Sequence, residues 1–392
     1  MKQTPKLVEE KNDLTRVVDV LSRSTLFALD TEFIRESTFY PQMALIQLAT
    51  KEEVFLLDPL RLQKKDMEPL FELFRDKKIL KVIHAAYADQ ECFYWEYGFT
   101  IENVLDTAVA AAMLGMGDNI GLSKLLLEVL NLNLPKGRAR AKWLTRPLPI
   151  ELLDYAAKDV EYLVQLSEIL IDSLKKNNRF EWALERSLVS SAEWDEAPEA
   201  MAKRTTQNSH MDAKGRGVFL ELMKWRENKA RSADLPRNWV ASNETLLALS
   251  KSRPLELQDL YSFRGLSKKE IEKSGSQILN CIKVGISRPI EVTKRAHEKQ
   301  VKNEASKVAL LQAYIQLRAE EIGIAPRMLL NQERASLLLR CVNEGKEEWL
   351  KREILDKSAY EMIGSELEEL LCGKRSLKFN QGEINIVKQL EK

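Results

Sequence analysis

Short apolar runs alternate with amphipathic stretches along the first half of the chain. The apolar runs have the length of buried strands and cover residues 25–29, 43–49, 54–57 and 79–83. Polar residues 50–53 give the second and third runs the spacing of a hairpin, so the first three strands are predicted to form a meander. Helical periodicity follows at residues 67–74 and 87–97, and residues 104–105 form a short strand candidate. The pattern predicts a mixed sheet flanked by helices.

The second half of the chain has a helical pattern. Residues 196–213 are polar and shift from acidic to basic, which is typical of a linker. We therefore expect an α/β domain followed by all-α domains, with a first domain that folds and acts alone when the linker is cut. The expected segments are 1–195 for the α/β domain, 196–213 for the linker, 214–290 for a helical domain and 298–392 for a second helical domain.

Two acidic residues end the first predicted strand. Asp30 and Glu32 are two residues apart, so both carboxylates project from the same face of the strand. Neighbouring carboxylates repel each other unless one stays protonated or a cation lies between them, and a divalent metal ion meets that need. The alternative is an exposed strand end that binds nothing.

A third acid, Asp89, follows the fourth apolar run in the first turn of the helix predicted at residues 87–97. Because the two strands end at the same edge of the sheet, Asp89 is expected to lie near Asp30 and Glu32. The helix dipole alone also favours an acid at this place. His84, which ends the strand, is expected to be a hydrogen-bonded structural residue.

Tyr155 and Asp159 are four residues apart on a helix predicted from about residue 150 to residue 170, so they share one face. The small residues Ala156 and Ala157 allow a close neighbour. A buried Tyr and Asp need polar partners, because unpaired polar groups are costly to bury. The alternative is a core tyrosine beside a solvated aspartate.

These motifs, in this order, resemble the DEDD superfamily of 3′–5′ exonucleases in the subgroup with a tyrosine, and within it the bacterial ribonuclease D family. The motifs are Leu29-Asp30-Thr31-Glu32-Phe33, Tyr40-Pro41-Gln42, Ile46-Gln47-Leu48, His84-Ala85 with Asp89, and Tyr155-Ala156-Ala157 with Asp159. Residues 217–285 are similar to the helicase-and-RNase-D C-terminal (HRDC) domain, and the region after residue 307 is partly similar to a second such module.

The resemblance implies a ribonuclease H-like (DnaQ-like) fold and metal-dependent hydrolysis of RNA from its 3′ end. It implies that two divalent ions, Mg²⁺ or Mn²⁺, are held by Asp30, Glu32, Asp89 and Asp159. Such hard cations prefer oxygen ligands and stabilise both the attacking and the leaving oxygen. Tyr155 would orient or deprotonate the attacking water, and we favour orientation because a phenol with a pKa of about 10 is a weak base. The implied partner is small structured RNA such as tRNA precursors.

Basic residues provide candidate phosphate contacts in two places. The loop before the Tyr155 helix carries Arg138, Arg140 and Lys142, and the family more often has acidic residues at positions 138 and 142. A group on one predicted helix of the HRDC-like region consists of Lys224, Arg226, Lys229 and Arg231. In both places the alternative is a solvated face that binds nothing. The spacing of Trp225 favours a core residue over one on a base-stacking surface. Ala88 stands where related sequences often carry Glu, which leaves one contact behind the metal ligands unaccounted for.

Composition limits the function classes further. The formal net charge is +1 over 392 residues, so nucleic acid must be bound by local patches. The four cysteines are scattered and indicate neither a disulfide framework nor a zinc site. There is no signal-peptide pattern and no membrane-length apolar run, so we expect a cytoplasmic monomer. A DNA 3′–5′ exonuclease and a nucleic-acid-binding protein with a degenerate nuclease domain are the alternatives, although clustered charge is costly to keep without a catalytic use.

Overall fold

The computed structural model describes residues 5–134, 137, 141–206, 209–291 and 302–388. In this part of the chain, six strands form the sheet of the first domain: β1 (Lys6–Val8), β2 (Leu26–Ile34), β3 (Gln42–Ala49), β4 (Val54–Leu57), β5 (Leu80–Ile83) and β6 (Val104–Asp106). Their order across the sheet is β1-β4-β3-β2-β5-β6. β3 runs antiparallel to β2 and β4, whereas β2, β5 and β6 are parallel. The carboxyl ends of these three strands therefore meet at one edge of the sheet.

Helices cover both faces of this sheet. One face is packed by α1 (Lys11–Ser22), α2 (Lys64–Arg75) and α3 (Tyr87–Tyr97). The other is packed by α4 (Thr107–Met113), α5 (Leu122–Leu130), α6 (Ile150–Glu161), α7 (Leu163–Lys176) and α8 (Phe180–Ser187). Along β2, Phe27 and Leu29 pack in the core beneath α1, α2 and α3, while Ala28 packs in the core on the other face of the sheet. The expected mixed sheet flanked by helices is confirmed, as is the α/β class followed by helical regions.

The helix predicted from residue 150 to residue 170 is two helices. The chain leaves helical geometry at Tyr162, where φ is −105° and ψ is −5°, and then resumes as α7. The break lets α6 pack against β2, β3 and β4 while α7 packs against β2 and β5. The periodicity of apolar residues continues across Tyr162, so the pattern does not mark the change of direction.

The region predicted as a linker contains helix α9 (Pro198–Thr206). Its residues Ala202 and Thr206 are buried, and it packs against α10 (Ala213–Ser232). The predicted linker is therefore helical over residues 198–206, and this mostly polar helix buries one narrow face. The HRDC-like region continues with α11 (Arg237–Val240), α12 (Asn243–Ser252) and α13 (Lys268–Ser287), and its core also takes in Phe39 from the first domain.

The C-terminal region is helical up to a hairpin that the sequence analysis did not predict. Its helices are α14 (Glu304–Ile322), α15 (Gln332–Arg340), α16 (Gly345–Lys351), α17 (Lys357–Ala359) and α18 (Ser365–Leu371). Strands β7 (Arg375–Asn380) and β8 (Glu383–Lys388) follow and pair antiparallel. Gln381 and Gly382 join them with φ values of 51° and 90°, the left-handed geometry of tight hairpin turns.

The C-terminal region and the nuclease helices share one hydrophobic core. Buried residues of α4, α5 and α7 and of α14 and α15 belong to the same cluster. The backbone N–H of Ala325 donates to the Ala112 carbonyl at 2.7 Å. The Arg179 guanidinium donates to the carbonyls of Met113 at 2.8 Å and Gly323 at 2.7 Å. No helix in the described ranges is long and apolar enough to cross a membrane.

Candidate active site

Four acidic residues from three elements interact at the carboxyl edge of the sheet. Asp30 and Glu32 lie on β2, Asp89 lies in the first turn of α3, and Asp159 lies on α6. Because side chains alternate along a strand, Asp30 and Glu32 share the face that carries Ala28, which is the face covered by α6 and α7. The structure thus brings together the four acids that the sequence analysis singled out.

Burial raises the pKa values of all four carboxyl groups, and the charges of neighbouring acids of the cluster add to this effect for Asp30 and Glu32. Burial, followed by the charges of Asp89, Asp159 and Glu32, raises the pKa of Asp30 well above its ordinary value. Burial, followed by the charges of Asp159 and Asp89, raises the pKa of Glu32 to about 9. Desolvation raises the pKa of Asp89 to about 7 and that of Asp159 to about 6. A site in which every carboxylate resists ionisation is one that a cation would stabilise.

Thr31 is a site residue that the sequence analysis did not identify. It lies between Asp30 and Glu32 and therefore points to the opposite face of β2, toward α3. Its hydroxyl donates to the Asp89 carboxylate at 2.5 Å, a bond that favours the ionised form of Asp89 and lowers its pKa. Thr31 thereby connects the strand that bears two acids to the helix that bears the third. A hydroxyl residue between two acids was the available signal.

Asp106 fixes the turn from β5 into α3. Its carboxylate accepts the backbone N–H groups of Ala85 and Ala86, each at 2.9 Å, and that of Ala108 at 2.8 Å. Ala85 has a φ of 58°, an uncommon left-handed conformation for alanine, and these bonds hold it. His84 bonds to the Thr107 hydroxyl through Nδ1 at 2.8 Å, which fits the expected structural role. Asp106 therefore determines where the Asp89 helix starts.

Tyr155 donates a hydrogen bond to the Asp159 carboxylate, one turn further along α6, and this bond lowers the pKa of Asp159 against the effect of burial. Its ring packs against Trp143 with centroids 6.1 Å apart. Gly137 also approaches it, since a Cβ at that position would lie 3.1 Å from the Tyr155 hydroxyl oxygen. The hydroxyl is thus held beside an acid of the cluster by neighbours on two sides.

A buried ion pair secures the segment that precedes α6. The Arg146 guanidinium donates to both carboxylate oxygens of Asp58, which is fully buried at the end of β4. It also donates to the carbonyl oxygens of Ala44 and Trp143, each at 2.7 Å. Bidentate guanidinium–carboxylate pairs are geometrically specific, so this contact sets the position of Trp143 against Tyr155.

The chemistry of the acid cluster fits a hard divalent cation. All its donors are carboxylate oxygens, the ligands that Mg²⁺ and Mn²⁺ prefer. Within the described residues, however, no three acidic, His or Cys side chains already surround a common ion position. Binding would therefore require the carboxylates to turn toward the ion, whose charge would offset the burial and the repulsion that raise their pKa values.

The predicted phosphate-binding residues fare differently from the acids. Arg138 and Arg140 lie outside the described residues, and Lys142 is exposed. On α10, the prediction for Arg226 is wrong because its side chain is only 3% exposed and pairs with Glu227 and Asn243 inside the domain. The other three pair with acids of the protein: Lys224 with Glu199, Lys229 with Glu270 and Arg231 with Asp195. For these three residues phosphate binding stays a prediction.

The sequence analysis also singled out Trp225, which lies on α10 between Lys224 and Arg226, and Ala88, which precedes Asp89 on α3. Trp225 is 8% exposed and donates to the Gln277 side chain at 3.2 Å, as expected of a core residue. Ala88 is exposed on α3, next to the buried Asp89.

Comparisons with known proteins agree with this geometry. Residues 5–175 match the family model described as a 3′–5′ exonuclease, and residues 216–282 match that of the HRDC domain. The chain is 30% identical over 390 residues to ribonuclease D of Bartonella henselae, covering 98% of this chain and 94% of that protein. It is 32% identical over 337 residues to ribonuclease D of Gluconacetobacter diazotrophicus, covering 84% of each.

The fold is similar to that of a solved structure, Escherichia coli RNase D, an exoribonuclease involved in structured RNA processing. The TM-score is 0.79 at 24% sequence identity, and the match covers 93% of this chain and 99% of that one.

Proposed function

The chain belongs to the ribonuclease D family of 3′–5′ exoribonucleases, and we propose that its acid cluster is the catalytic centre that releases 5′-mononucleotides from the 3′ end of RNA. The observation that carries this proposal is that the charges of Asp89 and Asp159 act on Asp30 and Glu32 at one sheet edge, beside Tyr155. Family membership implies the use of divalent metal ions. We propose that two Mg²⁺ or Mn²⁺ ions bind to these four carboxylates.

In this proposal, different residues bind the metal ions, position Asp89 and orient the attacking water. When bound, divalent ions supply the charge that activates water and stabilises the leaving oxygen. The four carboxylates hold that charge at the carboxyl edge of the sheet, and Thr31 and Asp106 keep Asp89 in place. The Tyr155 hydroxyl, fixed by Asp159 and Trp143, orients the water that attacks the terminal phosphodiester.

We further propose that the substrate is structured RNA with a single-stranded 3′ end, tRNA precursors in particular. Support comes from the full-length resemblance to ribonuclease D and from the Escherichia coli enzyme, which acts in structured RNA processing. Such precursors are cytoplasmic in bacteria, so we place the enzyme in the cytoplasm. All five proposed catalytic residues come from one chain, which supports action as a monomer.

A comparison of RNA and DNA tests the substrate class. Oligonucleotides of the same sequence in RNA and in DNA, together with an RNA hairpin carrying a 3′ extension, are incubated with the protein and Mg²⁺. We expect the RNA and the extension to be shortened, and the DNA to be shortened at least about 10-fold more slowly, which is about 1.4 kcal/mol in barrier height. Equal rates would indicate a DNA-directed exonuclease, and no hydrolysis of any substrate would indicate a degenerate nuclease domain.

A further inference from the structure

The loop that follows the Glu32 strand is held by the HRDC domain. Residues 35–41 join β2 to β3 and begin three residues after Glu32. The backbone N–H groups of Phe39 and Tyr40 both donate to one carboxylate oxygen of Asp234, at 2.9 and 3.0 Å. Asp234 lies 195 residues further along the chain, just beyond the end of α10.

The end of α10 aims the Asp234 carboxylate at this loop. Asp234 adopts the left-handed conformation with a φ of 48°, and the next residue, Leu235, donates its N–H back to the Ala230 carbonyl at 2.9 Å. This arrangement is a common way to end a helix, and Asp is among the residues that tolerate it. The turn projects the carboxylate away from the helix axis, so its position is set by the backbone.

Two arginines of the HRDC domain cover the same loop. The guanidinium carbon of Arg237 lies 4.6 Å from the centre of the Phe39 ring, and that of Arg231 lies 5.2 Å from it. Arg231 also lies 5.3 Å from the Trp95 ring centre, on α3. Phe39 is only 2% exposed, so its ring is part of the domain interface and not of the free surface.

The loop is attached to the active site from its other side as well. The Arg35 Nε donates to the Phe39 carbonyl at 3.0 Å, and its Nη1 donates to Glu91 at 2.6 Å. Glu91 lies on α3 two residues after Asp89. The loop therefore connects three elements: the strand with Asp30 and Glu32, the helix with Asp89, and α10 of the HRDC domain.

We propose that Asp234 is a positioning residue, through which the seating of the HRDC domain sets the geometry of the acid cluster and hence the rate of hydrolysis. The proposal rests on the proposed function, because the rate that Asp234 would influence is the rate of RNA hydrolysis. Asp234 touches neither substrate nor metal ligands; it acts through the loop. Loss of its two hydrogen bonds would free the loop that joins the Glu32 strand to β3, and small misplacements of catalytic groups lower rates severely.

The test compares Asp234→Ala with Asp234→Asn. Asparagine keeps a side-chain oxygen that can accept both N–H groups, whereas alanine keeps none. On a short unstructured RNA, we expect Asp234→Ala to lower kcat by about 10- to 100-fold with little change in KM. Asp234→Asn should stay within about threefold of the wild-type kcat, since neutral hydrogen bonds are weaker than charge-assisted ones. Hydrogen exchange at the Phe39 and Tyr40 amides should accelerate in the alanine variant and remain slow in the asparagine variant.

Asp212→Ala provides the matched control. Asp212 caps the other end of α10 by accepting the Gly215 N–H at 2.8 Å and pairs with Arg253, away from the loop. This variant should lose comparable stability and keep the wild-type kcat, provided that all rates are measured well below the lowest melting temperature. If Asp234→Ala does not fold, Asp234→Glu, which moves the carboxylate by one methylene, takes its place with the same expected loss of kcat.

A folded Asp234→Ala protein with wild-type kcat would overturn the proposal, even if its loop amides exchange faster. Equal losses of kcat in Asp234→Ala and Asp212→Ala would overturn it too, because the effect would then be general destabilisation. Failure of the proposed function is distinct from these results, since the wild-type protein itself would then hydrolyse no RNA.

Discussion

At the scale of single residues, we propose different roles for Tyr155 and for Asp159, the acid to which it donates a hydrogen bond. The carboxylate binds metal and the tyrosine hydroxyl orients water. Asp30→Asn or Asp159→Asn removes a carboxylate that we propose to bind metal, so each should abolish hydrolysis and weaken the binding of divalent metal ions. Tyr155→Phe removes only the hydroxyl, so it should lower kcat by about 10²–10⁴-fold, the scale of a positioned orienting or acid–base group. Calorimetric titration with Mn²⁺ should show unchanged metal binding in this variant. Near-full activity of Tyr155→Phe would mean that the tyrosine is structural.

The raised pKa values predict an unusual pH dependence of stability in the metal-free protein. Glu32, Asp89 and Asp159 have ordinary pKa values of 4.5, 3.8 and 3.8, which the fold raises to about 9, 7 and 6. Between about pH 4 and pH 7 these three carboxyl groups therefore bind more protons in the native state than in the unfolded state, and they make the free energy of unfolding fall as the pH rises. Lys81, whose pKa burial lowers to about 8, acts in the opposite direction above that interval. Urea unfolding in EDTA at several pH values measures this slope. Stability that rises over the same interval would contradict it.

Glu32→Gln isolates one contribution to that slope. The variant cannot ionise at position 32, so at pH 8 in EDTA it should be more stable than the wild type by about 1 kcal/mol or more. At pH 4, where Glu32 is protonated in the native state, the difference should be small. Addition of Mg²⁺ should stabilise the wild type more than the variant. An unchanged slope would show that the fold does not raise the pKa of Glu32.

The four acids and Tyr155 could be predicted from the sequence because each lies in a short local motif. Three supporting residues could not, since they act across large separations along the chain. Thr31 and Asp89 are 58 residues apart, Ala85 and Asp106 are 21 apart, and Phe39 and Asp234 are 195 apart. A hydroxyl or carboxylate without a local partner carries no signal of where its partner lies. Arg226 was misjudged for the same reason, because its charge is neutralised by partners inside the domain.

At the scale of elements, strand and helix positions near the site followed from hydrophobic periodicity. The predicted helix at residues 87–97 and the strand at residue 104 are both present. The misses have physical causes: β1 has only three residues, α9 buries a narrow face, and the β7–β8 hairpin is short and mostly exposed. The break at Tyr162 responds to the packing of two sheet regions, which no local pattern encodes.

The start of α3 depends on Asp106, and its removal is a test at this scale. Asp106→Ala leaves the N–H groups of Ala85, Ala86 and Ala108 without their acceptor. Ala86 and Ala108 are buried, and each unsatisfied buried group costs about 1–3 kcal/mol, so the variant should lose about 2 kcal/mol or more of stability and most of its activity. Asp106→Asn keeps one carbonyl oxygen, so its stability should lie between those of the wild type and Asp106→Ala. Wild-type stability of Asp106→Ala in urea unfolding would show that the turn holds itself.

At the scale of the whole molecule, the nuclease domain packs closely against the C-terminal region. Its helices α4, α5 and α7 share a core with α14 and α15, and Arg179 and Arg186 of the nuclease part bind carbonyls of the C-terminal region. The Arg186 guanidinium also pairs with Asp356. A chain cut in the predicted linker would lose this cover. That residues 1–195 fold and act alone stays a prediction, and the shared core with the C-terminal region argues against it.

A chain that ends after Glu291 tests this conclusion, because it keeps the HRDC domain and removes the C-terminal region. Burial of one large apolar side chain contributes about 1.5–3 kcal/mol, and whole domains are stable by only about 5–15 kcal/mol. Exposure of several such side chains should therefore make the shortened protein aggregate or melt well below the full-length protein. Light scattering and thermal unfolding measure both effects. A monomeric shortened protein with the full-length melting temperature would contradict the shared core.

The central claim is that four carboxylates at one sheet edge support metal-dependent hydrolysis from the 3′ end. The most direct test follows single-stranded RNA labelled at its 5′ end, incubated with the protein and Mg²⁺, with and without EDTA, over a time course. We expect a ladder that shortens one nucleotide at a time, release of 5′-mononucleotides and complete arrest by EDTA. Cuts within the RNA at early times, or undiminished activity in EDTA, would contradict it.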